Sequence, residues 1–529
     1  MHTYRAIDTS EVDSPRLDAG ELVQTTKVRP AASRPTPSTP SPRRRWGPEH
    51  LFGGLVIGFG LLFAFGMPPC QVPDEVSHFH RAYQVSEGRL FPIMVGEWGG
   101  GDLPVSILKV SSTFAHLPFH GENRATRENF AVLLATPLNP DERDTTTFPG
   151  SAFYTFVPYL PQALGIATAR AAGFGPLGIF YAGRLANLAL AGVLVFLAIR
   201  LMPVFKAVLG TVALIPMTVH QLASMSPDAS TIAVALLLAA LLLRLALGQG
   251  GADRGTIVAL WGLAGWLALC KFPYAGVGLL YLAVPAGRLG GWRRYLLVGV
   301  VLLLVTAGAV GAGVAMKRFT PGRITPDGVG ASMEGQLAFI RAHPIRYAKI
   351  CAATVAEFGQ VWLDQMGTLG WLDTPVNPLA MHGFFTILVL VALGDRTPGL
   401  EPGWRVKGAA LLAAVVCGGM ILTSCYVCGC RVKAPLIVGP QGRYFIPLLP
   451  LLLLLLSNRV LRVQAHPRVI LALAGGGGAG VLLVAVSGLV RRYYYHPRFQ
   501  SGVAAVALAV AAAVLLMSVA LARRRCPTD

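Results

Sequence analysis

Two acidic and two imidazole side chains follow closely after the first apolar segment of the chain. The stretch that begins at Pro68 reads PPCQVPDEVSHFHRAY, so Asp74 and Glu75 are adjacent and His78 comes four residues after Asp74. If the stretch from Asp74 is helical, Asp74 and His78 share a face and Glu75 points elsewhere. A carboxylate here can deprotonate an acceptor hydroxyl or bind a divalent cation, and His78 can orient it or contact a phosphate. Asp74, Glu75 and His78 are therefore the candidate catalytic residues.

The same acidic residue also has an ordinary structural use. Asp is frequent at the start of a helix, where its carboxylate accepts hydrogen bonds from the free amide groups of the first turn. Under that interpretation Asp74 satisfies the first amides of a surface helix and takes no part in catalysis. The spacing is compatible with either role, so both stay open at this point.

Further polar and aromatic residues occur near the ends of apolar segments. Lys and Arg at such positions can hold a lipid-linked phosphate or pyrophosphate by charge-assisted hydrogen bonds. A lone Lys can instead extend to the lipid headgroups, and Trp or Tyr can anchor a helix at the membrane interface. The candidate substrate-binding residues are Arg81, Tyr159, Gln162, Arg184, Asp228, Lys271, Trp371, Asp373, Gln441, Arg443 and Tyr444.

The composition indicates what kind of structure positions these residues. Of the 529 residues, 53% are hydrophobic and only 13% are charged, and the mean hydropathy is +0.56. Apolar runs of roughly 17 to 22 residues recur, and each can cross a hydrocarbon core about 30 Å thick. The net charge of +19 comes mostly from short Lys and Arg clusters between these runs. That pattern is typical of cytoplasmic loops and excludes a nucleic-acid partner.

The apolar runs predict an all-α, polytopic transmembrane bundle of about 12 helices. The first run follows Arg43, Arg44 and Arg45, which place its N-terminus in the cytoplasm by the positive-inside rule. Twelve crossings return the C-terminus to the cytoplasm. The predicted spans are 51–67, 177–197, 208–222, 229–247, 257–270, 275–285, 296–315, 382–394, 409–425, 444–456, 469–490 and 503–521.

This topology can be tested against the loop charges. Most Lys and Arg clusters between the spans fall inside, as the positive-inside rule requires. Arg431, Lys433, Arg491 and Arg492 are exceptions, because they fall outside. The balance still supports an even number of crossings.

The polar segments divide the chain into regions. Residues 1–48, rich in Pro, Ser, Thr and charge, are predicted to be a disordered cytoplasmic tail. The apolar run 153–172 contains Pro158 and Pro161, and a thirteenth crossing there would reverse the side of every later loop. We expect it to be re-entrant or interfacial. The remaining regions are the membrane domain 49–522, its external loops 68–150 and 317–380, of which the second is helical, and a cytoplasmic C-terminal tail 523–529.

Three cysteines stand close together at positions 425, 428 and 430. They have no spacing typical of a metal site. They form either a metal site or disulfide, or simply the small apolar residues that end a membrane helix.

The motifs occur in an order that resembles the bacterial membrane-protein family called domain of unknown function 2142. The first motif, from Pro73 to Gly88, contains PDE, RAY and SEG. The later motifs are YLPQ at 159–162, GR at 183–184, SPD at 226–228, Lys271 with PY at 273–274, GWLD at 370–373 and QGRYF at 441–445. The resemblance covers nearly all of the chain beyond the N-terminal tail.

That family is similar in plan to the GT-C glycosyltransferases, which take a sugar from a polyprenyl-phosphate carrier on the outer face of the membrane. The resemblance implies a GT-C-like fold in which an acidic motif of the first external loop acts as base or metal ligand. It carries this role onto Asp74 and Glu75, which would hold Mg²⁺ or Mn²⁺ if a divalent cation is used. It carries the grip on the donor phosphate onto Lys271 and Arg443, by position only.

We therefore expect a glycosyltransferase of the bacterial cytoplasmic (inner) membrane, active on its extracytoplasmic face. Its partners would be the lipid bilayer, a polyprenyl-phosphate sugar donor and a cell-envelope glycan or glycoconjugate acceptor. A transporter or flippase of a lipid-linked envelope precursor is the main alternative, but polar residues should then continue through the bilayer, and few do. A non-catalytic envelope-assembly protein would leave the cluster at Asp74 unexplained.

Overall fold

The computed structural model describes residues 47–316, 330–397, 399–457 and 466–495, together with 502, 505–513 and 516. The predicted C-terminal tail and all but the last two residues of the predicted N-terminal tail lie outside this set. Much of the predicted last span, 503–521, also lies outside it.

The described residues are mainly helical. The α-helices are α1 (Pro48–Gly66), α2 (Glu75–Ser86), α3 (Val105–Thr113), α4 (Arg127–Ala135), α5 (Pro149–Ala152), α6 (Leu160–Ala171), α7 (Pro176–Leu201), α8 (Lys206–Ala213), α9 (Pro216–Leu222), α10 (Asp228–Leu247), α11 (Arg254–Cys270), α12 (Trp292–Met316), α13 (Met333–Ala342), α14 (Pro344–Gln365), α15 (Pro378–Gly394), α16 (Trp404–Gly429), α17 (Leu449–Leu453) and α18 (Pro467–Tyr493). The 3-10 helices are Val157–Tyr159, Phe272–Ala283, Ala286–Leu289, Gly442–Leu448 and Leu454–Leu456. The strands are β1 (Ile93–Val95), β2 (Trp98–Pro104), β3 (Arg143–Thr147), β4 (Thr368–Leu369) and β5 (Thr374–Pro375).

Six of these helices are long and apolar enough to cross a membrane, namely α1, α7, α10, α12, α16 and α18. Shorter apolar helices are α11, α15, Phe272–Ala283 and the segment Gly442–Leu456. Every apolar run predicted within the described residues is helical, which confirms the all-α polytopic bundle. The helix α10 lies at the centre of the bundle, because 83% of its most apolar stretch is buried by other parts of the protein. In α12 only 11% of the corresponding stretch is buried, so most of the surface of α12 is available to lipid.

One predicted span is broken in the middle. The run 208–222 forms α8 and α9, because Pro216 has no amide hydrogen to continue the first helix. The amide of Met217 donates instead to the carbonyl of Met366 at 3.0 Å. All seven residues of α9 are buried, so protein covers the broken backbone, as a membrane interior requires.

The first predicted external loop is a folded unit. Strands β1, β2 and β3 form a three-stranded antiparallel sheet in that order, with Gly100 opposite Thr147. Arg143 of β3 bridges Glu87 and Asp102, each at 2.8 Å, and so joins the sheet to the end of α2.

The helix α6, in the predicted re-entrant run, has 12 residues, fewer than the roughly 20 that a crossing needs. Its re-entrant or interfacial placement stays a prediction.

The second predicted loop contributes α13, α14 and a two-stranded sheet of β4 and β5. Phe339, Ile350 and Trp362 pack against Leu422 and Tyr426 of α16 in a small separate core. The two loops also contact each other, because the indole nitrogen of Trp371 donates to the carbonyl of Cys70 at 3.0 Å. Both loops therefore lie at one end of the bundle, which we call the loop end.

Candidate functional site

Asp74 precedes α2 in a strained backbone conformation. Its φ of 65° is left-handed, and its side chain makes no capping hydrogen bond to the helix. For a residue other than glycine this conformation costs about 1 to 2 kcal/mol. The carboxylate is 54% exposed and meets the guanidinium of Arg443 at 3.1 Å. The capping role that the sequence left open is therefore not the one that Asp74 has.

The pair of Asp74 and Arg443 continues into a row of alternating charges. Arg443 Nε lies 3.3 Å from a carboxylate oxygen of Asp228, and the other oxygen of Asp228 pairs with the ammonium of Lys271. These four residues, which we call the open cluster, come from positions far apart in the chain. Arg443, Asp228 and Lys271 are almost completely buried, so only Asp74 reaches water freely.

Buried amide side chains position the centre of the open cluster. The amide of Asp228 donates to the hydroxyl of Ser226 at 3.2 Å. The carbonyl of Ser226 in turn accepts from Gln162 at 3.4 Å and from Asn187 at 3.1 Å. Gln162 was predicted to bind substrate, but here it shapes the turn before α10. Asn187 was not predicted, and a buried amide in an apolar helix was the available signal.

Close backbone contact positions Arg443. The amide of Gly442 donates to the side chain of Gln365, at the end of α14, at 2.8 Å. A Cβ atom at position 442 would lie 2.0 Å from the carbonyl oxygen of Trp362. Only glycine fits there, so the QGRY motif presses the Arg443 segment against the second loop. Gln365 was another supporting residue that the sequence did not indicate.

Tyrosine rings surround the cations of the open cluster. The ammonium of Lys271 lies 4.5 Å from the centre of the Tyr444 ring and 5.4 Å from that of Tyr154, which favours its charged form by cation–π attraction. His78 Nδ1 shares a hydrogen bond of 2.9 Å with the hydroxyl of Tyr159. Burial lowers the pKa of His78 to about 4 and raises the pKa of Tyr154 to about 12. Both side chains are therefore neutral at pH 7.

A cavity of about 460 Å³ adjoins Lys271 between α11, α12 and α16. Tyr154 and Tyr444 line it beside Lys271, and its remaining walls are mainly apolar, among them Val314 and Ile421. Cys425 and Cys428 also line this cavity. Cys425 and Cys430 form no disulfide.

Glu75 lies in a different charge pair. Its carboxylate binds Arg184 through two contacts of 2.9 and 2.6 Å, and both side chains are fully buried. Arg184 also donates to the carbonyls of Ala64, Met67 and Pro68, so all five of its N–H groups are used. We call this the closed pair.

Glu75 is fixed by a third hydrogen bond as well. One of its oxygens accepts, besides Arg184, the backbone amide of Met225 at 3.0 Å. Asp74 and Glu75 are thus held by different arginines and do not face a common cation. In the part of the chain that the structure describes, no three His, Cys, Asp or Glu side chains come together as metal ligands.

Three other predicted site residues lie outside the open cluster. Arg81 is buried within the first loop and donates to Gln84 and to the carbonyl of Leu90, each at 2.6 Å. Burial lowers the pKa of its guanidinium to about 10. Trp371 and Asp373 belong to the contact between the two loops. The structure thus brings Asp74, His78, Tyr159, Asp228, Lys271, Arg443 and Tyr444 together, and Gln441 lies next to them in the chain.

The open cluster is incompletely satisfied. Several buried polar atoms of the described residues have no hydrogen-bond partner, and three of them lie in or next to this cluster: Arg443 Nε, Arg443 Nη1 and the side-chain oxygen of Gln441. The contact of Arg443 Nε with Asp228 is an ion pair that lacks hydrogen-bond alignment. Buried guanidinium nitrogens without acceptors are costly, so such groups point to an acceptor supplied by a ligand. An anion next to Arg443 would satisfy them.

Comparison with known proteins agrees with a membrane protein. The family described as "Predicted membrane protein (DUF2142)" matches residues 57–452, a range that contains the whole open cluster. No curated protein matches the sequence. Among solved structures, the chain is similar to ArnT from Cupriavidus metallidurans in the apo state, at 15% identity and a TM-score of 0.36, over 87% of this chain and 74% of that chain.

Proposed function

The chain belongs to the DUF2142 family of predicted membrane proteins, and from the geometry of its loop end we propose that it is a glycosyltransferase. It would move a sugar from a polyprenyl-phosphate donor to a cell-envelope glycan or glycoconjugate, on the extracytoplasmic face of the bacterial cytoplasmic membrane. One observation carries the proposal. The buried guanidinium of Arg443 keeps two nitrogens without hydrogen-bond partners among the described residues, in the same cluster as a lysine that lines an apolar cavity.

The donor phosphate is assigned to Arg443 and Lys271. Its oxygens would accept charge-assisted hydrogen bonds from the unpartnered N–H groups of Arg443 and from the ammonium of Lys271. The first isoprene units would occupy the cavity between α11, α12 and α16. The rest of the tail would lie in the bilayer along α12, where Leu303 and Leu304 are exposed.

Asp74 is assigned the role of general base. In the structure it accepts from Arg443, and the donor phosphate would take its place there. The freed carboxylate would then remove the proton of the acceptor hydroxyl. Its exposure of 54% allows both this movement and access for the acceptor from water.

The transfer forms one bond and breaks another. The acceptor oxygen attacks the anomeric carbon from the face opposite the phosphate, and its proton passes to Asp74. The bond between the anomeric carbon and the phosphate oxygen breaks, and its electron pair leaves with the polyprenyl phosphate. Arg443 and Lys271 stabilise the charge that develops on that phosphate. The configuration of the anomeric carbon is therefore inverted.

Single substitutions in the full-length chain test the proposal. Asp74→Asn, Lys271→Gln and Arg443→Gln should each remove a sugar from the envelope glycans, measured by mass spectrometry. Arg491→Gln, which changes a cation of α18 outside the open cluster, is the matched control and should leave the glycans intact. Blots check protein levels. Intact glycans in all three well-expressed variants would contradict the proposal.

A second assay separates transfer from transport. The purified protein in nanodiscs, which enclose no compartment, is incubated with polyprenyl-phosphate sugars and envelope glycans extracted from the source cells. A transferase should attach sugar to the glycan under these conditions, and the rate should fall about 10²- to 10³-fold in Arg443→Gln. Failure of the wild-type protein to transfer any sugar, while the cellular glycans depend on Arg443, would favour the flippase.

A further inference from the structure

Phe119 of the first loop presents an aromatic ring in an unusual way. Its backbone is left-handed, with φ of 63°, and its side chain is 70% exposed. The conformation costs about 1 to 2 kcal/mol for a residue other than glycine, and an exposed ring regains little of this by burial. Strain of this kind persists only where the surrounding structure enforces it.

An ion pair enforces the conformation. The amide of Phe119 donates to Asp373 at 3.1 Å, and Arg492 pairs with the same carboxylate oxygen at 3.3 Å. Arg492 also donates to the carbonyls of Leu117 at 2.7 Å and Asn123 at 3.1 Å. The segment 117–123 is thus fastened on both sides of Phe119. In the predicted topology Arg492 lies outside, against the positive-inside rule, and this contact would account for that exception.

A second aromatic ring completes the surface. The Phe119 ring lies 5.9 Å from that of Trp371, whose indole nitrogen donates to the carbonyl of Cys70 at 3.0 Å. Gln71, the next residue, donates to the carbonyl of Phe114 at 3.3 Å within the same loop. Cys70 and Gln71 belong to the segment that leads to Asp74. Trp371 therefore connects the aromatic pair to the segment that carries the proposed base.

The neighbours of Phe119 favour a ligand from water over lipid. The exposed imidazole of His120 and the exposed carboxylate of Glu122 lie 3.0 Å apart within three residues of it. Polar and charged side chains of this kind are costly against hydrocarbon. A sugar ring suits the surroundings better, because its C–H face packs on an aromatic face while its hydroxyl groups stay hydrated.

We propose that Phe119 and Trp371 form an acceptor subsite on which a sugar ring of the envelope glycan stacks beside Asp74. This inference rests on the proposed transferase function. Asp373 and Arg492 are positioning residues that hold Phe119 in place. The subsite would leave a hydroxyl of the stacked ring, or of its neighbour, in reach of the Asp74 carboxylate.

Binding of defined saccharides tests the subsite without requiring transfer. The full-length protein in detergent is titrated with hexasaccharides of glucose, galactose, mannose and arabinose, and binding is followed by saturation-transfer NMR. We expect at least one of them to bind, and Phe119→Ala to raise its Kd about fivefold or more. Phe119→Tyr should retain binding. Phe174→Ala, which removes another exposed Phe, 55% exposed, is the matched control and should bind as the wild type does.

The outcomes separate the two proposals. The subsite is refuted if no hexasaccharide binds the wild type, or if Phe119→Ala binds as tightly as Phe174→Ala. Lys271→Gln should bind the saccharide normally but transfer no sugar. Absence of transfer by the wild type in the nanodisc assay, together with Phe119-dependent binding, would refute the transferase assignment and keep the saccharide site. Equal melting temperatures of the Phe119 variants verify that folding is unchanged.

Discussion

Asp74 and Glu75 are neighbours in the chain, yet they belong to two buried charge groups of opposite character. In the closed pair, Glu75 and Arg184 are fully buried and every N–H group of the arginine is used. In the open cluster, Arg443 is also buried but keeps two nitrogens without hydrogen-bond partners among the described residues. A buried arginine beside a carboxylate thus occurs once with all of its hydrogen-bond donors used and once with donors left over.

The difference separates structural charges from functional ones. A buried charge that is fully hydrogen-bonded has nothing left to offer a ligand, and it mainly fixes the elements that it joins. The closed pair ties α7 to the end of α1 and to the start of α2. An unsaturated buried charge is unfavourable until a ligand arrives, so its cost is regained as binding energy. For these two charge groups, the number of hydrogen bonds separates two roles that adjacency in the sequence obscures.

The sharpest test of this contrast breaks the closed pair. Glu75→Gln leaves the Arg184 guanidinium buried without its counter-charge, which should cost about 3 to 5 kcal/mol. We expect little folded protein, measured by blot and by the melting temperature in detergent. Asp74→Asn is the matched control at the adjacent position, and it should melt close to the wild type because Asp74 is half exposed. Equal melting temperatures of the two variants would remove the distinction.

Acid should act on the open cluster through His78. The unfolded chain binds a proton at the ordinary pKa of 6.5, whereas the folded state holds the pKa of His78 at about 4. The unfolded state therefore binds more protons between these values, and stability falls as the pH is lowered from about 6.5 to 4. The loss is on the order of 3 kcal/mol. Protonation would also add a third cation beside Arg443 and Lys271.

Unfolding measured against pH checks this origin. His80 is buried as well, and its pKa is lowered to about 4, so His78→Asn should remove only part of the acid sensitivity. His80→Asn, remote from the cations and bonded to Ser111, is the comparison. An unchanged pH slope in His78→Asn would show that the histidine is not buried as described.

The sequence predicted the fold far better than the roles of the individual residues in the site. Apolar runs identified every membrane helix in the described residues, because hydropathy along one segment decides whether it can enter lipid. The split of 208–222 into α8 and α9 was not predicted, because the run was taken as one span although it contains Pro216. Glu75, however, was predicted to be catalytic beside Asp74. Its pairing with Arg184 could not be foreseen, because the two residues lie 109 positions apart in the chain.

The role of Phe119 could not be predicted from the sequence either, because it depends on contacts with distant segments. Nothing near it in the sequence marks it, because its strained backbone is held by Asp373 and Arg492, which lie 254 and more residues away. Asp228 and Gln162 were identified as polar residues at helix ends, but only the structure shows that Asp228 joins two cations. Residue type and spacing thus predict where a site lies, and three-dimensional contacts decide what each side chain does.

The smallest predicted effect concerns the aromatic side of the open cluster. Tyr444 lies 4.5 Å below the Lys271 ammonium, a contact worth about 1 kcal/mol in a partly desolvated site. Tyr444→Leu should therefore raise the KM for the lipid-linked donor about fivefold, measured in the nanodisc assay, while Tyr444→Phe keeps the ring and should stay near the wild-type value. Because the closed pair contains no group that touches the donor, Tyr181→Leu, beside Arg184, should leave KM unchanged. A donor KM that responds to Tyr181 and not to Tyr444 would reverse the roles given to the two charge groups.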